Sequence, residues 1–204
     1  MIVIVDIDGT IADNEHRSGP LKTVKVKRRT YCEKINCPYP DKDNFCRSRQ
    51  GCPNQEKIQD VAWGEFIKAM DKDTPIPYSR EVLQWFADLK GSEIFYLTAR
   101  LIEESFYPTL KWLEDNKYPL STSGHLIMKP KGDRHTDSMI FKLSVIRNIA
   151  ATYDTKIITI DDSALSEPYF SIESQFFLAP DCWELIYKTQ VLLGGSCESL
   201  LHVK

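Results

Sequence analysis

The chain opens with Met1-Ile2-Val3-Ile4-Val5-Asp6-Ile7-Asp8-Gly9-Thr10, an apolar, mostly β-branched run that ends in two carboxylates and a glycine. Such a run predicts a buried strand of a parallel sheet. Because side chains two apart on a strand point to the same face, Asp6 and Asp8 would project together at its carboxyl end. Open α/β sheets bind their ligands at that end of the strands, so this stretch predicts a chemical site.

Two neighbouring carboxylates repel each other unless a cation lies between them. Together with further acids they would form an oxygen site suited to Mg²⁺. One carboxylate could then attack phosphorus while the other handles the proton of the leaving group. The structural alternative is an Asx-type turn, in which both acids only cap the loop after the strand.

Further strands and helices alternate along the chain. Apolar runs predict strands at 94–97, 126–128, 157–160 and 174–179, and helical spacing predicts helices over 58–70, 79–89, 103–116, 139–151 and 183–193. Ser79 is the predicted N-cap of the second of these helices. Strands that alternate with helices imply βαβ units with right-handed crossovers. The predicted fold is therefore α/β, a Rossmann-like parallel sheet flanked by helices, with the candidate catalytic residues at one edge.

Four short motifs, in order, resemble those of the haloacid dehalogenase-like hydrolases, which are mostly Mg²⁺-dependent phosphatases. They are Asp6-Ile7-Asp8-Gly9-Thr10, Leu97-Thr98-Ala99-Arg100 after the second strand, Lys142 near the start of a helix, and Ile160-Asp161-Asp162-Ser163. The resemblance covers roughly residues 1–17 and 58–182. It implies a phosphatase that works through an aspartyl-phosphate.

The resemblance assigns catalysis and metal binding to four acids. Asp6 would attack phosphorus, and Asp8 would protonate the leaving oxygen and then activate water. Asp161 and Asp162 would complete the Mg²⁺ site, together with Asp6 and the backbone carbonyl of Asp8. All of these groups are the hard oxygen ligands that Mg²⁺ prefers.

Contacts to the phosphate are the second role that the resemblance assigns. Thr98 would bind a phosphate oxygen, and Lys142 would offset the charge of nucleophile and phosphate. The structural alternatives are a threonine that caps the loop after its strand and a solvated helix lysine. A narrower resemblance, to the 3′-phosphatase domain of phage-type polynucleotide kinase, carries Arg17, Arg100 and Asp137 over as substrate-binding candidates.

Residues 18–57 are predicted to form a small cap insertion in a core that comprises 1–17 and 58–204. Positive charge is concentrated there: from Arg17 to Lys57, 11 lysines and arginines stand against 4 acids, a local +7, which leaves 15 against 25 elsewhere, or −10. This asymmetry predicts a patch that faces a polyanion, with a solvated charged loop as the alternative. The resemblance implies that such an insertion selects the substrate.

Four cysteines lie within 21 residues of this insertion: Cys32, Cys37, Cys46 and Cys52. A segment with so few large aliphatic residues needs another form of cross-link. In a reducing cytoplasm the favoured interpretation is a closed structural Zn²⁺ site, with disulfides and free thiols as open alternatives. Cys182 and Cys197 are predicted to be small core or surface residues.

The composition of the chain indicates which class of protein it is and where in the cell we expect it. With 204 residues, 42% of them apolar and 27% charged, the chain predicts one globular domain with an insertion. The apolar start is too short to span a membrane and has no basic leader, so we expect neither an anchor nor a signal peptide. A soluble, cytoplasmic protein is the resulting expectation.

Three functions compete at this point. The leading one is a Mg²⁺-dependent phosphomonoesterase that acts on a nucleotide or on the terminal phosphate of a polynucleotide. The second is a phosphatase of small metabolites or free deoxynucleotides. The third, from another class, is a nucleic-acid-binding module in which the cysteine segment binds and the hydrolase fold is a scaffold.

Overall fold

The computed structural model describes residues 1–17, 64–120, 125–133 and 136–192. The chain divides into two compact units, one made of Met1–Asp13 with Thr74–Lys204 and the other of Asn14–Asp73. The insertion predicted for 18–57, with its four cysteines and all of its basic residues, lies outside the described residues.

The first unit is built on a parallel sheet. The strands in chain order are β1 (Ile2–Val5), β2 (Ala12–Asp13), β3 (Thr74–Pro75), β4 (Glu93–Leu101), β5 (Leu126–Lys129), β6 (Ile157–Asp161) and β7 (Gln175–Leu178). Five of them form the sheet in the order β5-β4-β1-β6-β7, and each adjacent pair is parallel. The two short strands β2 and β3 pair separately and antiparallel.

Helices flank this sheet in the described part of the first unit. They are α1 (Ser79–Asp88), α2 (Ile102–Asp115), α3 (Ser138–Thr152), α4 (Glu167–Phe170) and α5 (Asp181–Leu192), with 3₁₀ turns at Lys131–Asp133 and Ala164–Ser166. In the second unit, residues 15–17 and 64–68 are helical and Met70–Lys72 forms a 3₁₀ turn.

β1 is the central strand, and its four residues are at most 2% exposed. Val3 and Val5 pack on one face of the sheet in a core shared with α1, α2 and α5. Ile2 and Ile4 pack on the other face with α3 and α4. This division follows from the two-residue period of a strand. Because both faces are covered, β1 is apolar throughout, and its first polar side chain is the one just past its carboxyl end.

The predicted α/β architecture is confirmed, and all five predicted sheet strands are present. β4 ends at Leu101, four residues beyond the predicted end. Its pairing with β5 shifts register between Thr98 and Leu101. Thr98 and Arg100 therefore lie within the strand. The β2–β3 pair and the four-residue α4 were not predicted, because elements this short show no periodicity.

The prediction that Ser79 caps α1 is wrong. Ser79 is the first helical residue, and Tyr78, with a φ of 65°, takes the cap position. The Oγ of Ser79 lies 2.6 Å from the carbonyl oxygen of Ile76 and 2.8 Å from the hydroxyl oxygen of Tyr118. These contacts occupy its hydroxyl in place of a cap on a helix amide, and the residue is fully buried.

Cys182 lies in α5 as a buried free thiol, as predicted for a small core residue, whereas Cys197 lies outside the described residues. Burial raises the pKa of the Cys182 thiol to about 12.

None of the described helices combines the length and the apolar character that crossing a membrane requires.

Candidate active site

The loop after β1, residues 6–11, is tightly wound and is called the β1 loop below. Asp6 continues the strand, since its N–H donates to the carbonyl of Ile160 in β6 at 3.0 Å. The carbonyl of Ile7 accepts hydrogen bonds from the amides three, four and five residues further on, at 3.2, 3.1 and 2.9 Å. Asp6 is buried at the strand end, and Asp8 lies on the more open side of the turn.

Lys142 joins the ends of two neighbouring strands. It extends from the second turn of α3, and its Nζ lies 2.9 Å from Oδ1 of Asp6 and 2.7 Å from Oδ2 of Asp161. Its side chain is only 12% exposed, so it is not the solvated helix lysine of the alternative interpretation. The ion pair joins Asp6 to a residue far away in the sequence. An aspartate that only caps the loop after its strand, as in the Asx-turn alternative, would not need such a partner.

The cluster holds more negative than positive charge. Asp6, Asp161 and Asp162 can each present an oxygen within 4.8 Å of the other two. Burial, together with the charges of Asp161 and Asp8, raises the pKa of Asp6 to about 7, although Lys142 opposes the shift. Burial and Asp161 likewise raise the pKa of Asp162. Burial alone would lower the pKa of Lys142, but Asp6 and Asp161 outweigh it and raise it.

These three acids fit a divalent cation. Carboxylate oxygens are the hard ligands that Mg²⁺ takes, and three of them converge here beside the ammonium group of Lys142. A cation at this position would oppose the burial and the neighbouring negative charges that together raise the pKa of Asp6. Asp6, Asp161 and Asp162 are thus the residues that would hold it, while a contribution from the backbone carbonyl of Asp8 stays a prediction.

Gly9 lets the β1 loop approach Asp162 closely. Its φ is +79°, and a Cβ on its backbone would lie 2.4 Å from Oδ2 and 2.9 Å from Cγ of Asp162. Any other residue would meet both a strained backbone and this carboxylate. The glycine of the motif therefore permits the position of one of the three acids.

Arg100 contacts Asp8, across 92 residues of sequence. Its Nε donates to Oδ2 at 2.8 Å and its Nη2 to Oδ1 at 2.7 Å, which is the bidentate geometry of a strong arginine–carboxylate pair. Its Nη1 donates to the hydroxyl of Thr109 in α2 at 3.0 Å. The binding of Arg100 to substrate stays a prediction.

Thr98 is buried, and its Oγ1 accepts a hydrogen bond from the N–H of Arg100 at 3.3 Å. This contact is the local one expected of a threonine that caps the chain at a strand irregularity. Its binding to a phosphate oxygen stays a prediction.

Solved structures share this architecture. A haloacid dehalogenase-like hydrolase from Streptococcus pneumoniae has a TM-score of 0.55 and 13% identity, with 96% of this chain and 98% of that chain covered. A protein from Bacteroides fragilis, described as a haloacid dehalogenase-like hydrolase, has a TM-score of 0.56 and 14% identity over 86% and 85% of the two chains. CbbY from Rhodobacter sphaeroides, in complex with phosphate, has a TM-score of 0.52 and 17% identity over 88% and 85%.

The chain has the haloacid dehalogenase-like fold. No protein-family model matches the sequence, and neither does any curated protein. At identities this low the likeness shows the fold, so an inference about activity depends on the site.

Two residues predicted from the narrower resemblance make structural contacts in this fold. In the second unit, Nε and Nη2 of Arg17 each donate to Asp73 at 2.6 Å, and the guanidinium lies 3.8 Å from the ring centroid of Phe66. In the first unit, Asp137 is the N-cap of α3 and accepts from the amides of Met139 and Ile140. Their contacts with substrate stay predictions.

Sequence patterns did not identify two residues whose side chains donate hydrogen bonds to backbone carbonyls of the β1 loop. Nε1 of Trp183 in α5 donates to the carbonyl of Thr10 at 2.7 Å, and the hydroxyl of Tyr118 donates to the carbonyl of Ile11 at 2.9 Å. Both side chains are buried. An apolar pattern identifies such residues as core, but no sequence signal shows that their polar atoms reach this loop.

Proposed function

We propose that this protein is a Mg²⁺-dependent phosphatase that forms an aspartyl-phosphate on Asp6. The observation that carries the proposal is the position of Lys142, whose ammonium bridges Asp6 and Asp161 beside Asp162. Phosphoryl transfer is catalysed mainly by positioning and charge neutralisation, which this set of groups can supply. The shared fold, which includes a protein solved with phosphate, supports the same activity.

The residues of the chain account for both half-reactions. In the first, an oxygen of Asp6 bonds to phosphorus as the ester oxygen leaves, and Asp8 gives that oxygen a proton. In the second, Asp8 takes a proton from water, whose oxygen bonds to phosphorus and releases Asp6. Lys142 offsets the negative charge at Asp6 and at the phosphoryl group. Mg²⁺ held by Asp6, Asp161 and Asp162 would add positive charge at the phosphoryl oxygens.

The proposed substrate is a nucleotide or a polynucleotide with a terminal phosphate, as for a polynucleotide 3′-phosphatase. The support comes from the sequence, in which 11 lysines and arginines stand against 4 acids between Arg17 and Lys57. A phosphate-release screen with Mg²⁺ over nucleotides, sugar phosphates and 3′- and 5′-phosphorylated oligonucleotides tests both activity and substrate class. Release from sugar phosphates alone would favour the small-metabolite phosphatase.

Charge reversal in the basic segment tests the polynucleotide directly. Changing Lys27, Arg28 and Arg29 to Glu is expected to raise KM for a 3′-phosphorylated oligonucleotide about tenfold or more, with little change for a mononucleotide, because only the longer substrate has backbone phosphates to contact. The dependence of log KM on log salt should become shallower by about 2, at about 0.7 per lost contact with a single strand.

The matched control reverses three exposed lysines of the first unit, Lys90, Lys117 and Lys156, and should leave the oligonucleotide KM nearly unchanged. Equal effects of the basic-segment variant on both substrates would point to a small-molecule phosphatase. Salt-sensitive binding of the oligonucleotide by a parent protein without phosphatase activity would point to the nucleic-acid-binding module.

A structural Zn²⁺ bound by Cys32, Cys37, Cys46 and Cys52 is proposed on the sequence alone. Metal analysis of protein purified without added zinc should give one zinc per chain, and Cys37→Ser should lower that content because a closed site needs all four ligands. Cys197→Ser is the control and should keep the zinc. Metal-free protein with paired sulfurs would show disulfides instead, and metal-free protein in which all six cysteines titrate would show free thiols.

A further inference from the structure

We infer that Arg100 is a positioning residue that orients the carboxylate of Asp8 for proton transfer, and that it is not a ligand of the substrate phosphate. The inference rests on the proposed function, because it concerns the proton donor of that reaction. It deepens that proposal by moving Arg100 from substrate binding to the support of Asp8.

The first observation is the way in which the guanidinium is engaged. Its Nε–Nη2 edge, the edge best suited to hold a phosphate in a bidentate manner, is paired with both oxygens of Asp8 at 2.8 and 2.7 Å. Its Nη1 faces Thr109 at 3.0 Å. A phosphate that took the same edge would displace Asp8 and leave that carboxylate without its arginine.

The second observation is the difference in exposure between the two partners. The side chain of Arg100 is 1% exposed, whereas that of Asp8 is 24% exposed. Asp8 is therefore partly accessible to a substrate from solvent, while the guanidinium is almost fully buried. A buried guanidinium paired with a more accessible carboxylate is expected when the arginine positions the carboxylate, and not when the arginine itself binds the phosphate.

The third observation is that the arginine is itself held at both ends. Its backbone N–H donates to Oγ1 of Thr98 in the irregular end of β4, and its far nitrogen donates to Thr109 in the second turn of α2. A planar guanidinium that is held in this way fixes the orientation of the carboxylate that it binds. A carboxylate oxygen has two lone pairs, so accepting a hydrogen bond from a guanidinium does not by itself prevent it from carrying a proton.

In chemical terms, the proton moves from Asp8 to the ester oxygen while the bond from that oxygen to phosphorus breaks and the bond from Asp6 forms. In the second half-reaction Asp8 receives a proton from the attacking water. Arg100 takes part in neither transfer. It holds the carboxylate where both transfers occur, since a proton donor must lie within hydrogen-bond reach of its acceptor.

The test compares Arg100→Lys and Arg100→Gln with the parent on two substrates in Mg²⁺. The first is the best alkyl phosphate from the screen, whose leaving group needs a proton, and the second is p-nitrophenyl phosphate, whose leaving group does not. We expect kcat for the alkyl phosphate to fall about 10²-fold, the range of a general acid, while the pre-steady-state burst of nitrophenol is retained. The inhibition constant of inorganic phosphate should stay within about threefold of the parent value.

Two further variants make the assignment specific. In an Asp8→Asn background, Arg100→Lys should cause no additional loss, because a residue that acts through Asp8 has nothing left to position. Thr109→Val, which removes the contact to Nη1 but cannot touch a phosphate, should lower kcat a few-fold and leave phosphate inhibition unchanged. Arg80→Gln, at an exposed arginine paired with Glu81, is the control and should retain the parent kinetics.

Several results would overturn the inference. A large rise in the inhibition constant of phosphate, with an equal loss on both substrates, would make Arg100 a phosphate ligand. Parent-like kinetics in folded Arg100 variants would remove any role for it while leaving the proposed phosphatase intact. A parent protein that releases no phosphate from any substrate, although it is folded and loaded with Mg²⁺, would instead remove the proposed function and this inference together.

Discussion

Asp6→Asn is expected to abolish phosphatase turnover and to leave the fold intact. The substitution keeps the size of the side chain but removes both the proposed nucleophilic oxygen and one of the three converging carboxylates that could hold a metal ion. Loss of a nucleophile of this kind lowers kcat by about 10⁴-fold or more. The measurement is Mg²⁺-dependent phosphate release by purified protein, with circular dichroism to show the fold.

The same substitution should change how stability depends on pH. Burial and the neighbouring acids raise the pKa of Asp6 from 3.8 to about 7 in the metal-free protein, so the folded state holds this proton more tightly than the unfolded chain does. Stability of the metal-free parent should then fall as pH rises from about 4 to about 7, and remain lower above that range. The raised pKa of Asp162 acts in the same direction.

Because asparagine cannot ionise, metal-free Asp6→Asn should be the more stable protein at pH 8, and the advantage should disappear at pH 4. In a chain of this size each 1 kcal/mol corresponds to about 2–4 °C in Tm. Adding Mg²⁺ at pH 8 should stabilise the parent more than the variant. In the parent the cation offsets the negative charge of Asp6, whereas the variant has no carboxylate at this position.

Asp154→Asn, at an exposed acid between α3 and β6, is the control and should match the parent in both measurements. An Asp6→Asn variant with more than a small fraction of the parent turnover would refute the aspartyl-phosphate. A variant that is inactive but no more stable than the metal-free parent at pH 8 would show that ionised Asp6 does not destabilise the folded protein.

Gly9→Ala is expected to have the second largest effect. A Cβ at this position would lie 2.4 Å from Oδ2 of Asp162, so either the β1 loop or the carboxylate must move. Displacing a group that supports a metal site typically lowers affinity or activity 10- to 100-fold. Mg²⁺ affinity, measured by titration calorimetry, and kcat should both fall within that range.

Gly91→Ala provides a close control. Gly91 has a φ of +76°, almost the same as the +79° of Gly9, but a Cβ there would meet nothing within 4 Å. Both variants should lose about 1–2 kcal/mol through the left-handed backbone, and only Gly9→Ala should lose Mg²⁺ affinity. Equal Mg²⁺ affinity in the two variants would mean that Asp162 does not need the space beside Gly9, which would contradict its assignment as a ligand.

The sequence by itself determined the strands and the order in which they occur. β1 could be predicted because a strand covered on both faces has no polar position, which the run from Ile2 to Val5 shows directly. The meeting of Asp6 with Asp161 was also predictable, since the carboxyl ends of parallel strands meet at one edge. Asp137 carried a local signal as well, because an aspartate directly before a helical apolar run is a common N-cap.

Only the tertiary structure decided which partners the charged groups take. The narrower resemblance presented Arg17 and Arg100 as candidates for phosphate binding, and the structure pairs the first with Asp73 in the second unit and the second with Asp8 in the first unit. Strand and helix periodicity specify which face of an element is buried. They do not specify which acid, 56 or 92 residues away, comes within 3 Å of a guanidinium, because that depends on how separate elements pack.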